Sequence, residues 1–216
     1  MRTFARLIRD QAGTTMIEFS IVMVLFFLLT FGLVEFGYML FQWNSVSKAA
    51  QRGARLAAVS DPVWTPLTTL TSTGTAGAAW ETAYNVTCQG TNATGSTGQC
   101  SGTSSTGYAA AAMQRLVFGP GGGTTCSATS ATHAAGMCNF FGAIKPENVQ
   151  INYRSTGLGF VGRPGGPVPT VALTVTGIPF QFIALGALLG FGDITMPDFT
   201  VTMTGEDLSA AAVPAL

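Results

Sequence analysis

The chain has 216 residues, a length that accommodates one ordinary domain with an appendage. Only 9% of the residues are charged, and ten basic side chains balance ten acidic ones, which argues against an electrostatic nucleic-acid binder. The 47% of hydrophobic residues argues against wholesale disorder, and the 27 glycines show no three-residue period, which excludes collagen.

The strongest apolar segment lies near the start of the chain. Three arginines within the first ten residues precede an uncharged run over residues 19–34. A helix that continues to Trp43 rises about 37 Å, which is enough to cross a hydrocarbon core of about 30 Å. Tyr38 and Trp43 fall where an aromatic belt is expected. A cleaved secretory signal would need small residues soon after the run, and residues 35–43 supply no such cleavage site.

Two carboxylates bracket this run, Glu18 at its start and Glu35 just after it. An acidic side chain at the centre of a membrane helix costs about 2.5–3.5 kcal/mol on insertion scales. A plain single-span anchor does not require an acid at position 18, so we expect a positive group to neutralise the Glu18 carboxylate. The sequence leaves the role of Glu35 open.

The residues around Glu18 resemble a type IV prepilin processing site. A basic leader, residues 1–13, ends in Gly13, and Glu18 is the fifth residue after it. The resemblance implies that a prepilin peptidase cuts between Gly13 and Thr14, and that Glu18 compensates the new amine of a neighbouring subunit in a fibre. Thr14 and Glu18 are four residues apart and therefore share one face of a helix. Phe19 stands where related small pilins often carry tyrosine.

The span is followed by a stretch of small residues that contains no proline. We expect the helix to continue to about Ser60, because Pro62 prevents much further extension. Small residues recur every four positions and form a stripe that would let another helix approach closely, although alanine helicity alone also explains the pattern. The predicted packing residues are Ala50, Gly53, Ala54 and Ala57. A separate polar face holds Lys48, Arg52 and Arg55.

Together these features are similar to the TadE family, pseudopilins of the tight-adherence (Tad) pilus machinery. The similarity rests on the glycine-x4-glutamate-phenylalanine motif, the apolar span, Glu35 with Gly37, and the sequence AQRGAR at residues 50–55, and it covers residues 10–60. It implies an assembly component and not an enzyme. The implied partners are a prepilin peptidase, other pilins or pseudopilins, Tad assembly proteins and membrane lipid.

Four cysteines, all beyond the span, indicate the compartment of the C-terminal part. Eleven residues separate Cys88 from Cys100, and eleven separate Cys126 from Cys138. Four cysteines allow three disulfide connectivities, and the repeated spacing favours Cys88–Cys100 with Cys126–Cys138. Disulfides need an oxidising compartment, so this part is predicted to be extracytoplasmic, whereas basic residues on both sides of the span leave its orientation undecided. A zinc site is disfavoured because the spacing lacks close ligand pairs, and His133 is interpreted as an exposed loop residue.

The middle of the chain, residues 62–144, carries only two charges among many threonines, serines, glycines and alanines. Residues 76–84 and 108–118 are predicted to be helical, and Gly119 ends the second helix. The inward face of that helix holds Ala112, Met113 and Leu116. The polar tracts around these helices are expected to be loops that the disulfides restrain.

Period-two alternation begins at Asn148 and predicts strands over residues 148–154, 168–176 and 199–204. These strands predict a three-stranded antiparallel sheet that packs on the preceding helix. Residues 178–192 carry no charge and are too short to span a membrane comfortably. They form either a buried core element or a surface that meets another subunit or the membrane interface.

No catalytic chemistry is predicted. The sequence has no nucleophile-elbow, phosphate-loop or dinucleotide motif, and one histidine offers no convincing triad. Four acids near the end of the chain lack the spacing of a calcium loop: Asp193, Asp198, Glu206 and Asp207. We therefore expect no enzymatic activity, cofactor or metal, and no nucleic-acid partner.

The sequence predicts an α+β protein with three parts. Residues 1–13 are a prepilin-like leader, residues 14–60 a transmembrane and spine helix, and residues 61–216 an extracytoplasmic domain with disulfide-stapled loops. The predicted function is that of a minor pilin or pseudopilin of the Tad machinery, single-pass in the cytoplasmic membrane and able to enter a pilus. The alternative is a single-span anchored extracytoplasmic binding domain that is neither processed nor assembled.

Overall fold

The computed structural model describes residues 12–121, 123–130, 133–183, 186, 194–205 and 208. Most of the predicted leader therefore lies outside the described residues. The same holds for most of the uncharged stretch after residue 183 and for three of the four acids near the end of the chain, Asp193, Glu206 and Asp207.

A single helix, α1 (Ala12–Ala58), includes both the apolar run and the small-residue stretch. Its 47 residues contain no proline, and it ends four residues before Pro62, whose ring is incompatible with a continued helix. The prediction of one long N-terminal helix is confirmed, with an end two residues before the expected one.

Five antiparallel strands form one sheet in the order β2-β1-β3-β4-β5. The strands are β1 (Asn85–Gly90), β2 (Gly98–Gly102), β3 (Val149–Arg154), β4 (Thr170–Val175) and β5 (Phe199–Thr204). The three predicted strands are β3, β4 and β5, and the α+β class is confirmed. The predicted number of strands is wrong, because the sheet has five strands and not three.

The two missed strands, β1 and β2, form a hairpin. β2 lies in a tract that was expected to be a polar loop, and no element was predicted for most of β1. The buried positions of β1 are Val86, Cys88 and Gly90, and Cys88 lies directly opposite Cys100 of β2. A cysteine and a glycine at buried positions produce no run of large apolar side chains, so the period-two signal is absent from the sequence. The disulfide between these cysteines replaces the apolar contacts that usually mark a strand pair.

The core lies on the face of the sheet to which β3 and β4 contribute alternate residues. Ile151 pairs with Leu173, and Tyr153 pairs with Val171, and all four side chains are fully buried. Burial of this row stabilises the sheet by about 25 cal/mol per Å² of apolar surface removed from water. α1 packs on this face, since Gly53 lies against Leu173.

Two helical segments were predicted in the middle of the chain, and one of them is observed. α2 (Ala110–Phe118) buries the predicted face of Ala112, Met113 and Leu116 and ends at Gly119, whose φ of 106° suits glycine. Residues 76–84 are not helical, which corrects the second prediction. Gly77 has a φ of 88° there, and Ala79 forms an antiparallel bridge with Phe160, so tertiary pairing overrides the helical propensity of the alanines.

The chain forms two compact units. The first contains the part of α1 up to Phe41 together with Phe180–Ile194. The second contains α1 from Gln42 onward and the whole sheet, and comprises Gln42–Pro179 and Thr195–Leu216. The buried aromatic and aliphatic side chains that form the sheet's core belong to the second unit.

Candidate assembly surface on the N-terminal helix

The part of α1 in the first unit exposes a continuous apolar surface. Large side chains on every side of the helix are more than half exposed, among them Ile17, Phe19, Leu25, Leu29 and Leu33. By length and composition, this is the one helix among the described residues that could cross a membrane. Two of its hydroxyls are satisfied within the helix, since Ser20 donates to the Met16 carbonyl at 2.8 Å and Thr30 to the Phe26 carbonyl at 3.0 Å. Such a surface is typical of a helix that meets lipid or other apolar helices.

The predicted processing residues lie in the first two turns of α1. Gly13 and Thr14 are part of the helix, and the side chains of Glu18 and Phe19 are exposed. Thr14 and Glu18 are one turn apart, so a charged amine at Thr14 would lie on the same face as the Glu18 carboxylate. An exposed carboxylate at this position is available to a partner outside its own chain.

The predicted packing residues have a different environment from the one expected. Ala50, Gly53, Ala54 and Ala57 are buried within the second unit. A Cβ added to Gly53 would collide with the Met137 sulfur and would lie 2.9 Å from Leu173 Cδ1. The small residues therefore allow α1 to approach the sheet of its own chain, and they are covered in the folded subunit.

The polar face of the same helical part carries three cations. Lys48 and Arg55 are exposed, and Arg52 donates from Nε to the Ala135 carbonyl at 2.9 Å. Together with Phe140, these side chains line an open groove. The one described contact of the Arg52 guanidinium is thus with the loop before Met137, which gives this residue a structural role inside the unit.

Glu35 is the residue whose role the sequence left open. Its side chain is only 3% exposed, although most other large side chains on this part of the helix are exposed. Both carboxylate oxygens accept from the backbone N–H of Ile183, at 2.9 and 3.1 Å. The sequence shows an acid at the end of the span and an uncharged stretch far along the chain. It does not show that they are in contact, which is visible only in the fold.

Both predicted disulfides are present, Cys88–Cys100 and Cys126–Cys138. His133 is half-buried, and its Nε2 lies 3.1 Å from the Phe118 carbonyl at the end of α2, so it is not the exposed loop residue that was expected. In the described part of the chain, no three histidine, cysteine or acidic side chains cluster in a way that could hold a metal.

Comparison with known families supports the interpretation of the N-terminal helix. Residues 13–55 match the model of the family described as TadE-like protein. No curated protein and no solved structure matches the chain. The matched segment is about a fifth of the chain, and it begins at the predicted cleavage glycine and ends on the helical part that packs on the sheet. The resemblance seen in the sequence is thereby confirmed: the protein carries a TadE-like segment over residues 13–55.

Proposed function

We propose that this protein is a minor pilin or pseudopilin of the Tad pilus assembly and secretion machinery. The observation that carries the proposal is that the TadE-like segment contains the exposed apolar part of α1. In this proposal α1 anchors the protein in the cytoplasmic membrane as a single span. The second unit, with its two disulfides, lies on the extracytoplasmic side, where disulfides persist.

The first step of the proposed function is proteolytic processing by a prepilin peptidase. Water is added across the peptide bond between Gly13 and Thr14, which leaves a carboxylate on Gly13 and an ammonium group on Thr14. The basic leader departs with its three arginines. The mature chain then begins at the first residue of the exposed apolar helix.

The second step is lateral packing of the processed helix with other pilins or pseudopilins. Glu18 is exposed, so its carboxylate is available to the new amine of a neighbouring subunit. An ion pair in this poorly hydrated environment offsets the cost of placing an acid beside a membrane span. Packing uses residues 14–41, because the small-residue stripe farther along α1 is already covered by the sheet.

N-terminal sequencing of protein extracted from the membranes of its host tests the processing step. The mature chain is expected to begin at Thr14. A chain that still begins at Met1 would refute processing and would support the tethered binding domain that is neither cleaved nor assembled.

Substitution of Glu18 tests the assembly step. Glu18→Ala is expected to abolish incorporation into pili or their initiation complex, while the amount of protein in the membrane fraction is unchanged. Glu81→Ala is the matched control, because it removes an exposed acid from the second unit. Equal incorporation of both variants would contradict the role proposed for Glu18.

A further inference from the structure

The open groove beside the second-unit part of α1 is strongly positive. Lys48, Arg52 and Arg55 form its wall on the helix, and Ala135 and Phe140 lie on the opposite wall. No acidic side chain lines it among the residues that the structure describes. The groove has a volume of about 440 Å³ and lies wholly within the second unit. Sites for small ligands or single side chains have similar volumes.

Positive charge is scarce in this protein, and the groove concentrates it. Seven of the ten basic residues follow residue 13, and three of these seven lie here. Lys48 and Arg52 are four residues apart on α1, and Arg52 and Arg55 are three apart, spacings at which like charges destabilise a helix. A face that only meets water is usually stabilised by charges of alternating sign. The single sign here therefore indicates a negative partner.

The described part of the chain does not supply that negative charge. Its ion pairs lie elsewhere in the second unit: Arg115–Asp61 at 3.6 Å and Lys145–Glu147 at 4.0 Å. The other described acids of this unit, Glu81 and Asp198, are exposed and line no part of the groove. All four of these acids are isolated in the sequence, so none belongs to a run of acids that a second copy could offer.

The guanidinium of Arg52 is oriented in advance for an anion. Its Nε donates to the Ala135 carbonyl at 2.9 Å, and this bond fixes the plane of the group. Its two terminal nitrogens have no acceptor among the described residues, and they are the donors that bind a carboxylate through two parallel hydrogen bonds. Because Arg52 is already held, an anion that binds here orders one side chain fewer.

The opposite wall of the groove is also held in place. Met137 is fully buried beside Gly53 of α1, and the disulfide Cys126–Cys138 anchors the next residue. Phe140 follows directly, and its ring is 41% exposed. Arginine and aromatic side chains dominate the binding energy at many protein interfaces, so the two walls together suit a peptide that is both acidic and apolar.

The spacing of the cations indicates the shape of the anion. Lys48 and Arg55 are seven residues apart, a rise of about 10 Å along α1. An extended peptide rises about 3.3 Å per residue and turns alternate side chains to one side, so acids at alternate positions present carboxylates about 7 Å apart. This interval is close to the rise of about 6 Å from Lys48 to Arg52. A row of cations of this length matches several carboxylates better than one phosphate group.

We infer that the groove between α1 and residues 135–140 binds an acidic peptide segment of another protein. One carboxylate of the segment binds the terminal nitrogens of Arg52, flanking carboxylates lie at Lys48 and Arg55, and an apolar side chain packs on Phe140. The identification of that protein as a Tad subunit rests on the proposed function. The binding itself does not, because every residue of the groove belongs to the second unit.

Fluorescence anisotropy on the full-length protein in a nonionic detergent tests the inference. The probe is a short labelled peptide with glutamate at alternate positions and one phenylalanine between them, and the control peptide has glutamine in place of every glutamate. We expect the acidic peptide to bind, with an affinity that falls as salt is raised from about 50 to about 200 mM, and the glutamine peptide to bind at least about tenfold more weakly. Failure of the acidic peptide to bind, or equal binding of the two peptides, would overturn the inference.

Charge reversal locates the binding on the protein. The double variant with Lys48→Glu and Arg55→Glu should weaken binding of the acidic peptide by about tenfold or more, because two attractions become repulsions. Arg154→Glu is the matched control, since it reverses an exposed cation of β3 outside the groove, and it should change the affinity by less than about twofold. Equal losses from a single reversal at Lys48 and at Arg154 would indicate attraction to the overall charge and would refute a site in the groove.

Arg52→Lys separates geometry from charge. It keeps the positive charge but removes the paired donors, so we expect a loss of about fivefold in affinity with the same salt dependence. An unchanged affinity would show that no carboxylate binds the terminal nitrogens of Arg52.

Two further measurements distinguish other occupants of the groove. Displacement of the peptide by soluble short-chain phosphatidylglycerol, at concentrations where phosphatidylcholine of the same length has no effect, would overturn the inference in favour of a lipid headgroup. A smaller molar mass of the solubilised double variant than of the unaltered protein would overturn it in favour of a second copy. None of these outcomes depends on where the mature chain begins, so N-terminal sequencing tests the proposed function separately.

Discussion

Replacement of Gly53 by leucine tests whether the small-residue stripe of α1 serves the subunit itself or a neighbouring helix. A Cβ at this position would collide with the Met137 sulfur and would lie 2.9 Å from Leu173 Cδ1. Both of those side chains are fully buried, so they have little room to move away. The substitution therefore perturbs the contact between α1 and β4.

The magnitude follows from two opposing terms. Extra carbons in a well-packed core cost about 1–3 kcal/mol, occasionally more. Replacement of a helical glycine by a better helix former gains about 0.5–1 kcal/mol. Gly53→Ala should thus lower the free energy of unfolding by about 1 kcal/mol, and Gly53→Leu, with three further carbons, by about 3 kcal/mol.

Urea unfolding of the full chain in detergent measures this effect through the fluorescence of Trp64 and Trp80, which are both buried in the second unit. With a slope of about 2 kcal/mol per molar urea, Gly53→Leu should lower the midpoint by about 1.5 M. Gln51→Leu is the control, because it places the same side chain at an exposed position on the same helix and should change stability by less than about 0.5 kcal/mol. Equal midpoints for the two leucine variants would refute the packing argument and would leave Gly53 available to another helix.

Three other measurements address the second unit. The disulfides Cys88–Cys100 and Cys126–Cys138 close loops of equal length, so the loss of either should cost about 3 kcal/mol through the unfolded state. Replacement of Cys88 and Cys100 by alanines should lower the melting temperature more than replacement of the other pair, because both of these cysteines are buried and their loss also leaves a cavity. Tyr153→Phe removes the acceptor of the Val63 N–H, at 2.9 Å, and should cost about 1–3 kcal/mol in urea unfolding. Burial raises the pKa of Tyr108 to about 12 and the pKa of Tyr153 further, while an unfolded tyrosine ionises near pH 10. The stability that these tyrosines contribute is therefore complete below about pH 10 and falls as the pH rises above that value. Urea midpoints that stay constant between about pH 9 and 11 would contradict this pH dependence.

The parts of the fold that the sequence predicts well are those where one pattern dominates. β3 alternates valine, isoleucine and tyrosine with polar residues, so its place and its inward face are both readable. α1 is readable because an apolar run is continued by alanines without a proline. β1 and β2 were missed because a disulfide supplies the contact that large side chains usually supply.

The parts that the sequence did not predict depend on contacts between distant residues. The stripe around Gly53 indicates that something approaches closely, but a helix and a sheet make the same demand on residue size, and the pattern does not distinguish them. The residues of the predicted processing motif do not depend on contacts between distant residues, because a peptidase site is defined by the order of residues along the chain. Gly13, Thr14 and Glu18 were predicted from the resemblance to a prepilin processing site, and the family match begins at the first of them.

The division of α1 into an exposed and a covered part explains how one helix serves two requirements. A helix that crosses a membrane or packs in a fibre needs apolar side chains all round, whereas a helix on a sheet needs a narrow face of small residues and a polar side toward water. The change occurs near Gln42, which is fully buried and begins the second unit. Glu35 lies seven residues earlier, two turns before this change. The buried carboxylate of Glu35 accepts from the Ile183 N–H, so an acid on the otherwise exposed part of α1 is satisfied by a contact within the first unit.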